Sequence, residues 1–264
     1  MSKAADGFRR GTTVFGAVFQ VAVGFFVSVE SFVNRGVSLI IPAGWTFAVW
    51  GPIFFLCAVY AGYQALPLNR SDPVLRSIGW PLGLAFVGNG VWTAVQPLQS
   101  PVLSQVIITL ILACSLFALV RFARFGAVSG AERWVIGLPV GLLAGWLTAA
   151  NVVGFNDLLV RQEVIEAGLF AVFVGAGLLV VGAVVAMVVL KTVSRGPLTA
   201  TVAYALGVVW GLFGVVANQY DTSLLTSGVA AVCLAVLLLV LLGAVARNRA
   251  MPPDSGGARA LQGS

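Results

Sequence analysis

Apolar runs of about twenty residues recur along this chain, each closed by a charge, a proline or a glycine, and this recurrence limits the fold more than any single motif. A hydrocarbon core about 30 Å thick is crossed by about twenty helical residues, and inside it every backbone N–H and C=O must be satisfied within the segment. The runs predict eight helices, at about 12–30, 45–66, 78–96, 102–121, 134–155, 165–190, 198–217 and 223–245. With 59% hydrophobic residues, only 9% charged and a mean hydropathy of +1.02, no stretch is left over to build a soluble domain. The expected fold class is an all-α polytopic transmembrane helix bundle, with the lipid bilayer as its first partner.

An even number of helices puts both termini on one side. With that side cytoplasmic, thirteen of the fifteen Lys and Arg residues fall inside and only Arg35 and Arg161 outside, as the positive-inside rule demands. Seven helices would place the Arg247, Arg249 and Arg259 tail on the wrong side. The net charge of +6 is spread singly and in pairs between apolar runs, so it reads as topology signal and excludes a nucleic-acid surface. Lys3, Arg9 and Arg10 ahead of an apolar run resemble a leader, but the run closes on Val29-Glu30-Ser31, which favours an uncleaved first span. The expected location is a bacterial inner membrane. The C-terminal segment, rich in Pro, Gly and Ser, is expected to be disordered.

Histidine is absent, and the nine acids sit at expected helix ends or in loops. Intramembrane Asp, Glu or His marks most proton relays, so a relay is not expected. Glu30 and Glu166 are the nearest candidates. Glu166 would occupy the first turn of the sixth helix, where the positive end of the dipole favours a carboxylate for structural reasons. The lack of histidine also removes His-ligated haem, most zinc sites and Ser-His or Cys-His nucleophiles, so no enzyme, catalytic residue or metal is expected. Cys57, Cys114 and Cys233 lie in three different runs and read as small core residues.

Tryptophan and amide side chains remain. Trp50, Trp92, Trp146 and Trp210 fall well inside their predicted spans, away from the interfacial belt where Trp usually sits, and buried rings with an N–H are what a flat hydrophobic ligand would meet. Asn89 and Trp92, three apart, share a helix face; Asn151 shares one with Leu147. An Asn in a span serves either a ligand or a neighbouring helix. Gly137, Gly141, Gly145 and Ala149, four apart, form a stripe for close approach of a helix from the same chain or of a second copy in a homodimer; Gly207 and Gly211 make a shorter one.

These residues are similar to the TspO/translocator protein family, also called tryptophan-rich sensory proteins. Pro42, Gly44-Trp45, Phe47 and Val49-Trp50, with Pro52 behind, resemble the family's first loop and second helix. Asn89-Gly90-Val91-Trp92-Thr93 matches its third-helix pattern, and Trp146 with Ala150 and Asn151 is similar to its fifth, although the family's Asn comes eight residues after the Trp rather than five. The resemblance covers about residues 12–156. It divides the chain into a tail over 1–11, a TspO-like five-helix unit over 12–157, three additional helices over 158–246 and a tail over 247–264. It implies a pocket between helices 1, 2, 3 and 5 for a tetrapyrrole, a sterol-like molecule or another flat hydrophobic ligand. In that pocket Trp50, Trp92 and Trp146 would stack, Asn89 and Asn151 would offer amides and Trp45 would form the mouth. No cofactor is required; a porphyrin is a candidate ligand, and sensing, reception and transport are the roles implied. A small-solute permease and a structural subunit of a membrane complex are the alternatives.

Overall fold

The computed structural model describes residues 3–26, 40–126, 128–166 and 168–250. Eight long helices follow one another among the described residues: α1 (Lys3–Phe26), α2 (Gly44–Ala65), α3 (Pro73–Ala94), α4 (Pro101–Ala123), α5 (Gly130–Arg161), α6 (Leu169–Val193), α7 (Leu198–Gln219) and α8 (Leu224–Ala250). There is no strand among the described residues, and the chain is an all-α polytopic bundle. Six of the helices, α2 and α4 to α8, are long and apolar enough to cross a membrane. In the other two, α1 opens with Asp6, Arg9 and Arg10, and α3 is diluted by Arg76, Asn89, two prolines and four glycines.

Helix ends follow local chemistry. Asp72 caps α3, its Oδ1 accepting from the amides of Val74 and Leu75, and Pro73 takes the first helical position, where its missing donor costs nothing. Between α3 and α4, Gln99 adopts a left-handed conformation (φ 52°) and Ser100 caps α4 ahead of Pro101, which makes a tight turn. Ser129 and Glu132 form a reciprocal capping box on the first turn of α5. α2 opens as a 3-10 helix over Gly44–Val49 and becomes α-helical at Trp50, so Pro52 falls at its third α-helical position and breaks nothing.

Two boundaries differ from expectation. The stretch read as an N-terminal tail is helical from Lys3, and Arg9 is fully buried, donating to Gln64 Oε1 at 3.0 Å and the Leu75 carbonyl at 2.9 Å. A single arginine is affordable there because Asp6, Thr13 and Gln20 continue the same polar stripe of α1 against α2 and α3. Glu166 precedes α6 rather than lying in its first turn, so the helix dipole does not hold it. Glu30 and Arg35 lie outside the described residues.

The helices pack in the order α1, α3, α4, α5, α7, α8, α6, with α2 bridging α1 and α5. Contact is densest between α5 and α7. A Cβ on Gly141 or Gly145 would overlap the Ala200 or Tyr204 carbonyl of α7, and one on Gly207 would overlap the backbone at Trp146, so the two helices touch backbone to backbone. The stripe expected from the sequence is therefore spent inside the chain. The face of Gly137, Gly141 and Gly145 is covered by α7 and so gives no support to a homodimer through it. A second seam joins α1 to α3: Arg9, Thr13 and Phe19 fill the space above Gly79, Gly83 and Gly90, and Gly16 lies on Phe86. The last three helices are thus packed into the same bundle as the first five.

A Gly145→Val substitution, which must push α7 away, is expected to destabilise the protein by about 1–3 kcal/mol, the usual range for overpacking. Gly177→Ala on α6, with nothing within 4 Å, is expected to hold or slightly raise the melting temperature. Thermal unfolding of the purified proteins in one detergent checks the contrast.

Candidate ligand cavity

The end of the bundle away from Lys3 holds a predominantly apolar cavity of about 130 Å³. α5 supplies its back wall through Trp146, Ala149, Ala150 and Val153; Phe47 and Trp50 of α2, Trp92 of α3 and Ser104, Gln105 and Ile108 of α4 close one side. Leu179, Gly182 and Ala183 of α6 and Val208, Gly211 and Leu212 of α7 close the other.

Trp50 is the hub. Its ring centroid lies 6.1 Å from that of Trp92 at an interplanar angle of 36°, and 6.1 Å from that of Trp146 at 86°, while Phe47 stands perpendicular to Trp146 at 5.7 Å. Each such pair adds about 0.5–1.5 kcal/mol beyond its buried area, so the rings hold one another in place without a ligand. Trp92 donates its indole N–H to Ser104 Oγ at 2.9 Å, which ties α3 to α4 and fixes the ring plane. Trp146, 2% exposed, is held by the glycine seam behind it.

The loop ahead of α2 is clamped to α7. The amide of Ala43 donates to the Gly214 carbonyl at 3.0 Å, Trp210 donates its indole N–H to the Thr46 carbonyl at 2.7 Å, and the side-chain amides of Asn218 and Gln219 donate to the Ile41 carbonyl at 3.0 and 3.2 Å. Gly214 leaves room for Thr46 and Pro42 to sit directly on its backbone. These bonds set where Phe47 and Trp50 enter the bundle, and they explain the polar end of α7. Near the cavity rim, Arg161 donates to Asp157 Oδ2 at 2.9 Å, one turn apart on α5.

Of the six residues read from the sequence as ligand contacts, the structure brings three, Trp50, Trp92 and Trp146, to one cavity. Trp45 does not line it: its ring is about half exposed and packs on Trp210, edge-on at 5.3 Å, and on Phe213. Asn89 faces α1, where its Nδ2 donates to Gln20 Oε1 at 3.1 Å. Asn151 faces α4; its Oδ1 accepts from Thr109 Oγ1 at 2.8 Å and Gln105 Nε2 at 3.2 Å, and its Nδ2 donates to the Ile108 carbonyl at 3.1 Å. Both amides act between helices.

No described residue of α1 lines the cavity, whereas α4, α6 and α7 do, so the pocket expected between helices 1, 2, 3 and 5 is displaced toward the second half of the chain. Sequence reasoning missed Ser104, Gln105 and the α7 wall. Gly207 and Gly211 carried the only signal, since a small-residue stripe on the seventh helix implied a close neighbour.

An all-α membrane bundle with an aromatic-lined cavity at one end is the class these features define. The sequence profile of the TSPO-like protein family matches residues 12–245, and the chain belongs to that family. The match runs through all eight helices, beyond the 12–156 stretch that carries the motifs. No curated protein and no solved structure matches the chain.

An Asn151→Leu variant removes the amide from the α4–α5 contact and is expected to lower stability by about 0.5–1.5 kcal/mol, the range for interhelical hydrogen bonds in a bilayer. Trp45→Phe should change stability less, because its ring lies at the surface. Unfolding of both variants in mixed micelles measures the difference; equal losses would contradict the interhelical role of Asn151.

Proposed function

We propose that this TSPO-like membrane protein binds a flat hydrophobic ligand in the cavity bounded by Trp50, Trp92 and Trp146, in a sensory or transport role and without catalysis. The observation that carries the reading is the convergence of three tryptophans from α2, α3 and α5 on one apolar cavity inside the bundle. Rings at this depth offer broad π-faces, and Ser104, Gln105 and Thr148 add a few polar atoms to orient a ligand.

A volume of about 130 Å³ is near that of a cavity holding one benzene ring. It therefore seats one edge of a larger flat molecule. A tetrapyrrole or sterol-like ligand, as the family resemblance implies, would lay such an edge against the Trp50, Trp92 and Trp146 cluster and leave the rest toward the rim. The same reading places the protein in a bacterial inner membrane with both termini cytoplasmic, supported by the positive-inside count of its loops.

Porphyrin titration of the detergent-purified protein is expected to quench Trp fluorescence saturably, with a Trp50→Phe/Trp92→Phe variant binding about tenfold more weakly. Replacement of two broad indole faces by smaller phenyl faces, each losing part of the about 0.5–1.5 kcal/mol of an aromatic pair, sets that size. Unchanged binding in the double variant, followed by porphyrin absorbance, would sink the assignment.

A further inference from the structure

At the opposite end of the bundle, where α3 begins and α4 ends, Ser77, Arg121, Arg124 and Phe125 line an open groove of about 240 Å³. Arg121 donates weakly to Ser77 Oγ at 3.4 Å, and its guanidinium carbon lies 4.8 Å from the centroid of the Phe117 ring. Neither Arg121 nor Arg124 makes a salt bridge among the described residues; the acids that do are Asp6, with Arg9 and Arg76, and Asp157, with Arg161. A helix C-terminus favours one cation by its dipole. It does not account for two guanidiniums opening on one groove beside a hydroxyl.

The depth of the groove is set by α4. Val106, Leu110 and Phe117 are exposed along one face of this helix, which is long and apolar enough to cross a membrane, so acyl chains would lie against that face. Phe117 is the last of them, and Arg121 comes one turn later, stacked on its ring. The pair therefore marks the level at which hydrocarbon gives way to headgroups. A planar guanidinium donates two parallel N–H bonds to phosphate oxygens, and basic pockets between spanning helices hold anionic headgroups.

We propose that Arg121, Arg124 and Ser77 form a phosphate site for the headgroup of an anionic phospholipid, whose acyl chains run down the Phe117 face of α4. Arg121 and Arg124 supply the charge and the donors, and Ser77 supplies a neutral hydroxyl donor from α3. A lipid seated there bridges α3 and α4 from outside, at the end of the bundle remote from the aromatic cavity.

The full chain, released from phosphatidylcholine nanodiscs containing a minor fraction of phosphatidylglycerol, is to be examined by native mass spectrometry. Wild type is expected to retain phosphatidylglycerol in preference to phosphatidylcholine. Arg121→Gln/Arg124→Gln should hold it about thirtyfold more weakly, from about 1 kcal/mol per basic residue near a membrane surface. Arg121→Lys/Arg124→Lys should fall between, and Arg247→Gln at the exposed end of α8 should match wild type. Should the double Gln variant fail to reconstitute, Arg124→Gln alone is expected to lose about fivefold. Equal retention by the Gln variants and wild type overturns the proposal. So does an equal loss in Arg247→Gln, which would mean unspecific charge attraction, or displacement of the lipid by millimolar inorganic phosphate, which would mean a free-phosphate site.

Discussion

The α5–α7 seam is the contact on which the rest of this bundle depends. In a bilayer, lipid tails are as apolar as leucine, so hydrophobic burial does little to draw one helix to another, and close dispersion packing must do more. Gly141 and Gly145 on one side and Gly207 and Gly211 on the other remove the side chains that would hold the axes apart. A Cβ at Gly141 or Gly145 would meet a carbonyl of α7, one at Gly207 the backbone of α5, and one at Gly211 the Ala149 methyl. Because Trp146 follows Gly145 directly, the seam also fixes the back wall of the cavity, and α7, held this close, is in place to clamp the loop that delivers Phe47 and Trp50.

Polar groups in this membrane chain orient one helix or loop against another. Asn89, Asn151, Trp92, Trp210 and Asn218 each satisfy a partner on another helix or loop, and so set orientation. Arg9 is the most extreme case, a guanidinium buried at the α1, α2 and α3 junction with Gln64 Oε1 and the Leu75 carbonyl as acceptors. An unpartnered charge in that place would be costly, and the stripe Asp6, Arg9, Thr13 and Gln20 shows how α1 tolerates it. The aromatic cavity sits away from this stripe, toward α4, α6 and α7.

Several features were legible in the residues alone. The helix count, the glycine stripe on the fifth helix and the three tryptophans that meet in the cavity all followed from apolar periodicity, small-residue spacing and the depth of Trp in its span. The roles of Asn89 and Asn151 did not, because a helix position gives the face of a side chain but not which neighbour covers that face. Trp45 shows the same limit: one residue after Gly44 and five before Trp50, it shares their motif but turns outward onto Trp210.

The sequence by itself determined an all-α membrane bundle of eight helices and the family to which it belongs. Both depend on local facts, the length of apolar runs and short motifs within them, that survive without knowing the packing. Only the tertiary structure decided that the glycine stripe is buried within the chain, that α6 and α7 rather than α1 complete the cavity, and that Arg9 lies in the core. Each of these rests on which helices become neighbours, and in a bilayer that choice is made by shape and hydrogen bonds between segments far apart in the chain.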